Sequence, residues 1–209
     1  MPTTRGLERL IFFTDAVVAI AITLLILPLV DAASEPENTA KTAAHFFTEE
    51  RQQILAFLIS FAVIARLWVA HHSLFEHVAS YSRRILLLNL AWAFTIVVLP
   101  LPTAMSAEFD TEALTIAFYL GTMLLSSLML TLLALTIRGD ASIEESARPI
   151  GHNAVQGSAV MTVLFALALV VGVFVPGVAF WALLLLLLAG PIEAVLNRRA
   201  ARLAHSRDA

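Results

Sequence analysis

Polar positions thin out after Arg9 and become frequent again only from Asp31, leaving IFFTDAVVAIAITLLILPLV, which is broken by Thr14, Asp15, Thr23 and Pro28. An α-helix needs about 20 mostly apolar residues to cross about 30 Å of hydrocarbon. The same pattern recurs along the chain and predicts six spans, near residues 9–30, 52–76, 84–104, 112–137, 153–174 and 177–196. Long apolar runs, rather than ten-residue stretches of alternating polarity, predict an all-α bundle and not a barrel. Residues 1–209 then form a single six-span transmembrane domain with little left over. The stretch from Asp31 to Glu50, acidic and carrying SEPEN, reads as the only long polar connection. HVASYSRR, SAEFDTE, RGDASIEESARP and VPG mark the shorter turns.

Composition sharpens this picture. The chain is 59% hydrophobic and 14% charged, with a mean hydropathy of +0.86. That excludes an ordinary soluble domain and predicts a multi-pass protein of the cell membrane. The net charge of −3 matters less than its distribution. Arg5, Arg9, Arg83, Arg84, Arg138, Arg148, Arg198, Arg199, Arg202 and Arg207 fall on one side of a six-span topology. Lys41 and Arg51 share the other side with a run of carboxylates. By the positive-inside rule both termini are cytoplasmic. The basic tail NRRAARLAHSR reads as a topology anchor against anionic headgroups. A cleaved leader is the competing reading of the first segment, but Thr14 and Asp15 are foreign to one, and a retained first helix is simpler. There is no cysteine, hence no thiolate metal site. No catalytic nucleophile or metal motif points to an enzyme, no cofactor is implied, and no nucleic-acid partner is expected.

Polar groups inside spans are costly unless they pair, so their depth is informative. With a rise of 1.5 Å per residue, Asp15 on span one and His71 and His72 on span two lie roughly 10 Å from the cytoplasmic face, and Asn89 on span three roughly 8 Å. Three helices thus present polar groups at one level, with Trp68 and Trp92 placed to wall them from lipid. The plain reading is a set of interhelical hydrogen bonds stapling spans one to three. The sharper reading is a proton relay or pH sensor using Asp15 with His71 or His72. Metal binding is disfavoured, because adjacent histidines on a helix point about 100° apart. Arg66, deeper in span two, has no assigned role.

Asp15 and Arg9 lie about 240° apart around a helix and cannot be a simple intrahelical pair. Asp15 is therefore expected to meet spans two and three and fix the rotation of span one. Ile20, Thr23, Leu24 and Leu27 share a face about 140° from Asp15. That face is free to meet lipid, another helix or a symmetry mate.

RLIFFTD at 9–15 fits R-x-x-x-F-T-D, and LWVAHHSLF at 67–75 carries W-x-x-H-H-x-x-F, followed by LNLAWAFTIVVLPLPT at 88–103. Together these resemble the transmembrane protein 175 family of lysosomal and bacterial potassium channels, with Thr14 in place of the usual serine. The resemblance covers the first half of the chain; spans four to six agree only in number and hydrophobicity. It implies a potassium-permeable cation channel of the bacterial inner membrane, a homotetramer whose first helices line a central pore. It places a hydrophobic constriction at Ile20, continued by Leu24 and Leu27, and a pore-lining hydroxyl at Thr23. Arg9, Phe13, Thr14, Asp15, Trp68, His71, His72 and Asn89 match its packing and gating network. The expected partners are further copies of the chain, membrane lipids, K+ and other monovalent cations. A narrow apolar neck gates by dewetting, and without TVGYG no carbonyl filter of the usual kind is available, so selectivity is expected to be modest. Arg9 and Phe13 project onto the same face as Ile20, which sets a cation near the inner mouth of a cation pore. The alternative function is a proton-coupled transporter using Asp15 and His71 or His72.

Overall fold

The computed structural model describes residues 4–34, 42–80, 82–108, 112–140, 142–144 and 150–174. The expected sixth span at 177–196, the VPG break, the basic tail and the acidic residues Glu35, Glu37 and Asp110 lie outside the described residues. Among the described residues eight helices follow in order: α1 Thr4–Leu24, α2 Leu27–Ser34, α3 Ala43–Glu49, α4 Arg51–Phe75, α5 Arg83–Val98, α6 Pro100–Glu108, α7 Ala113–Arg138 and α8 His152–Phe174. Five stretches among the described residues are long and apolar enough to cross a membrane: Arg5–Ser34, Arg51–Phe75, Arg83–Ala107, Ala113–Arg138 and Val155–Phe174. The chain is an all-α, multi-pass membrane protein.

Two spans expected to be continuous are interrupted, each at a proline. Pro28 has no N–H to give to Leu24, and its ring crowds the preceding turn. The chain answers by tightening: Leu25 N–H donates to Ile22 O at 3.3 Å and Ile26 N–H to Thr23 O at 3.4 Å, before Val30 N–H resumes α-type bonding to Ile26 O at 3.1 Å. Pro100 divides the third span into α5 and α6 in the same way, with Leu99 N–H donating to Ile96 O at 3.3 Å. The polar stretch between spans one and two also holds a helix. Thr42 opens α3, its hydroxyl accepting from His45 N–H, and Glu50 closes α3 and begins α4 without an intervening loop.

α7 is the centre of the packing. It lies against α8 on one side and α5 on the other; α5 carries α1, and α6 bridges α4 and α7. Trp92, Met123 and Phe165 are completely buried in this core. In lipid the attraction between helices comes from packing and hydrogen bonds rather than from escape from water, so hydroxyl seams matter. Ser60 Oγ lies 2.8 Å from Thr103 Oγ1 and 2.7 Å from Tyr119 Oη, joining α4, α6 and α7. Thr162 Oγ1 lies 3.0 Å from Ser127 Oγ and 2.9 Å from Thr131 Oγ1, joining α7 and α8. Past the end of α4, Ala79 N–H donates to Ile143 O at 2.9 Å and Ser80 Oγ to Ser142 O at 2.8 Å, so the turn after span two is latched to the one after span four. In that latch the Ser142 hydroxyl and backbone N–H, with Arg84 adding a smaller attraction, hold the exposed Asp140 carboxyl below its ordinary range.

Candidate functional site

α1 buries Leu7, Leu10, Thr14, Val18 and Ala21, continued by Leu25. Their spacing of three and four residues is one stripe of a helix. This stripe lies against α5 and α4. Small residues let backbones approach closely, and Ala21 on this stripe is 1% exposed.

At the Thr14 level a chain of hydrogen bonds crosses three spans. Asn89 Nδ2 on α5 donates to Thr14 Oγ1 at 2.7 Å, and the Thr14 hydroxyl donates to Leu10 O at 2.8 Å. Asn89 Oδ1 lies 2.6 Å from His71 Nε2 on α4. An amide oxygen only accepts, so His71 donates from Nε2. Every donor points the same way, from His71 through Asn89 and Thr14 to the α1 backbone, and all three side chains are buried. The His71 ring is held between Trp92, stacked at 4.1 Å, and Phe75, stacked at 4.4 Å. Its orientation is therefore fixed by packing as well as by hydrogen bonding.

Asp15 is not the buried member. It is half-buried beside the cluster and accepts from Trp68 Nε1 at 2.8 Å, a bond from span two to span one. The sequence reading turned Asp15 toward the histidines and the asparagine; in the structure Thr14, one residue earlier, fills that place. A helix step of about 100° separates the two, so one joins spans two and three and the other reaches only span two. His72 stands apart from the buried chain: it is exposed, tilted against Trp68 at 5.5 Å, and its Nε2 lies 3.8 Å from Glu76 Oε1.

The opposite side of α1 is left open among the described residues. Phe12, Phe13, Ile20 and Leu24 are exposed, Ile20 at 60%, and Leu27 is exposed on α2. The break before Pro28 falls between Leu24 and Leu27, so the expected continuous helical stripe from 20 to 27 changes helix partway. Thr23 is exposed too, and its hydroxyl donates to Ile20 O at 2.7 Å. That leaves the oxygen lone pairs, rather than the proton, on the open side. Arg9 is exposed and forms no ion pair among the described residues. Arg9, Phe13 and His72 are thus not gathered into the buried cluster, whereas Thr14, Asn89 and His71 are, with Trp68 and Asp15 bonded to each other beside it.

Sequence reasoning placed Trp92 as a wall to the cluster but not its direct stacking on His71, and it missed the hydroxyl seams around Ser60 and Thr162. Among the described residues no group of three or more side chains is placed to hold a metal ion.

Residues 9–100 match the family described as endosomal/lysosomal potassium channel TMEM175. A potassium channel of Streptomyces collinus is 40% identical over 101 residues, 48% of this chain and 47% of the relative. The endosomal/lysosomal proton channel TMEM175 of Rattus norvegicus is 31% identical over 111 residues, 51% of this chain and 21% of the relative. The matched segment thus spans about half the length of the bacterial relative, and far less of the mammalian one. The crystal structure of a lysosomal potassium-selective channel TMEM175 homolog from Chamaesiphon minutus superposes with a TM-score of 0.72 at 22% identity, covering 91% of this chain and 99% of that one, which establishes a shared fold. Bacterial relatives and five long apolar helices place the chain in a bacterial inner membrane as a multi-pass protein. Through its first three spans, residues 9–100, the chain is similar to the TMEM175 family.

Proposed function

We propose that the chain is a passive, potassium-permeable cation channel: a homotetramer of six-span subunits, both termini cytoplasmic, with α1 of each copy around a central pore. The supporting observation is the division of α1 into a side hydrogen-bonded and packed within its own subunit and a side left exposed, carrying Ile20, Thr23 and Leu24. In this reading Ile20 forms the narrowest ring, Leu24 and Leu27 extend it, and ions cross when the neck widens enough to stay wet. Thr23 offers its lone pairs to a partly dehydrated K+ just beyond the neck. The Thr14–Asn89–His71 chain and the Trp68–Asp15 bond hold the helix in the rotation that this requires, and Arg9 and Phe13 are available to a neighbouring copy.

Purified protein of measured subunit number, reconstituted in liposomes, tests the reading. It calls for four subunits and K+ flux down its gradient without a proton gradient, larger than Na+ flux. A monomer or dimer, or flux that depends on coupled proton entry, would favour the carrier reading. That alternative, proton coupling through Asp15 and His71 or His72, has less support, because Asp15 bonds Trp68, His71 bonds Asn89 and His72 faces Glu76. The mammalian relative is a proton channel, and a pH-sensitive dye in the same vesicles reads proton passage through the same pore.

A further inference from the structure

We propose that the charges at the two ends of the exposed stripe of span one make the pore a rectifier, passing cations more readily from the Asp31 end to the Arg9 end than in reverse. This rests on the channel reading and adds a direction of flow to the same path.

Arg9 and Asp31 each lie eleven residues from Ile20, one before it and one after. Eleven residues make three helical turns and about 20°, so both fall on the side of Ile20, roughly 16 Å away along the axis. The break before Pro28 shifts the second half of this count, but α2 supplies its own reference. Leu27 and Asp31 are exposed and four residues apart, and the buried Leu29 lies about 160° from each. On α1 the buried Leu7 lies about 160° from Arg9 in the same way, and Phe13, four residues after Arg9, is exposed. Arg9 and Asp31 are themselves exposed, and neither forms an ion pair among the described residues. Arg5, exposed and four residues before Arg9, adds charge of the same sign, whereas Glu8 is about 100° away from Arg9 around the helix. Ser34, one turn past Asp31, donates its hydroxyl to Val30 O at 2.8 Å and so adds oxygen lone pairs beside the carboxylate.

Four copies around an axis turn these single charges into rings of opposite sign at opposite mouths. Four unit charges about 10 Å from an ion, screened over a Debye length of about 10 Å at 0.1 M salt, change the local cation concentration about threefold. The Asp31 ring enriches cations entering from its side, and the Arg9 ring depletes those entering from the other. Both effects favour the same direction, so they multiply to an asymmetry of about ninefold where entry limits the current. With both termini cytoplasmic, the favoured direction is inward. Charge at the mouths does not tell K+ from Na+, so the preference between them stays with the neck.

The test is the current–voltage relation of single channels of the full chain in planar phosphatidylcholine bilayers with equal KCl on both sides. Each channel's own asymmetry is then read whichever way it has inserted. At 0.1 M KCl the parent is expected to pass about nine times more current in one direction than in the other at high voltage. At 1 M, where the Debye length is about 3 Å, the asymmetry nearly disappears. Asp31→Asn and Arg9→Gln should each lower the ratio to about threefold at 0.1 M, and the double variant should conduct symmetrically, all with the parent's K+ over Na+ preference. The salt dependence of the parent needs no variant and decides the matter should a substituted chain not assemble. Parent currents that are symmetric at 0.1 M KCl, or an asymmetry that survives both 1 M KCl and the double substitution, would overturn the proposal and leave both charges as headgroup anchors at the ends of span one. The absence of any K+ current from the parent is a different result, which would overturn the channel reading and this inference with it.

Discussion

The two sides of α1 are built from similar apolar residues and meet opposite surroundings. On one, Leu10, Thr14, Val18 and Ala21 are buried against α5 and α4; on the other, Phe12, Phe13, Ile20 and Leu24 stand exposed. Hydropathy does not separate them. What does is size and hydrogen-bonding capacity: the packed side carries the smaller Val18 and Ala21, and places a hydroxyl where Asn89 can reach it. The exposed side has bulk and no such partner. A helix fixed so firmly on one side and left apolar on the other is suited to meeting its own copies.

Four substitutions probe this contrast. The largest stability effect is expected from Asn89→Ala, which strips the acceptor from the buried His71 N–H and the donor from Thr14; unfolding in detergent should be easier by about 2 kcal/mol, read by thermal or denaturant titration. Ile20→Asn acts on the other side alone. It should leave stability nearly unchanged and raise ion flux in proteoliposomes about tenfold, as expected for removal of about 1.4 kcal/mol from a dewetting barrier, while K+ over Na+ preference falls. Flux equal to the parent's would remove Ile20 from the constriction.

Trp68→Phe keeps most of the ring and deletes the N–H that Asp15 accepts. A loss of about 1 kcal/mol is expected, with ion preference retained; an intact protein with altered K+ over Na+ preference would mean that Asp15 serves conduction rather than orientation. The smallest structural effect belongs to Thr23→Val, within about 0.5 kcal/mol of the parent as for most exposed sites. Its signature is a lower K+ over Na+ ratio by bi-ionic measurement, and an unchanged ratio would take the hydroxyl out of the ion path.

Much of this arrangement is legible in the sequence, and the exceptions have physical causes. Polar residues at one depth on spans one to three could be placed together because helical rise is constant, and the side chains of Thr14, His71 and Asn89 do meet. Which of Thr14 and Asp15 occupies the centre was not legible: one residue is about 100° of rotation, and the deciding constraint is the position of α5. The interruptions before Pro28 and Pro100 had a visible signal in the prolines, but a membrane helix can absorb a proline by local tightening, so the pattern alone did not say where each helix stops. Thr42 carried a capping signal for α3 that the acidic character of its surroundings obscured. The seams of Ser60 with Thr103 and Tyr119, and of Thr162 with Ser127 and Thr131, depend on helices far apart in sequence coming into contact. No periodicity within one span encodes such pairs.

The central claim is that the exposed side of α1 lines the path of the ions. The chain contains no cysteine, so Ile20→Cys introduces a single thiol that a water-soluble thiol reagent can modify while K+ flux from liposomes is recorded. The account predicts that modification at position 20 abolishes flux, whereas modification of a Leu101→Cys variant, on an exposed position of α6, does not. Full labelling of the Ile20→Cys variant with flux undiminished would contradict it.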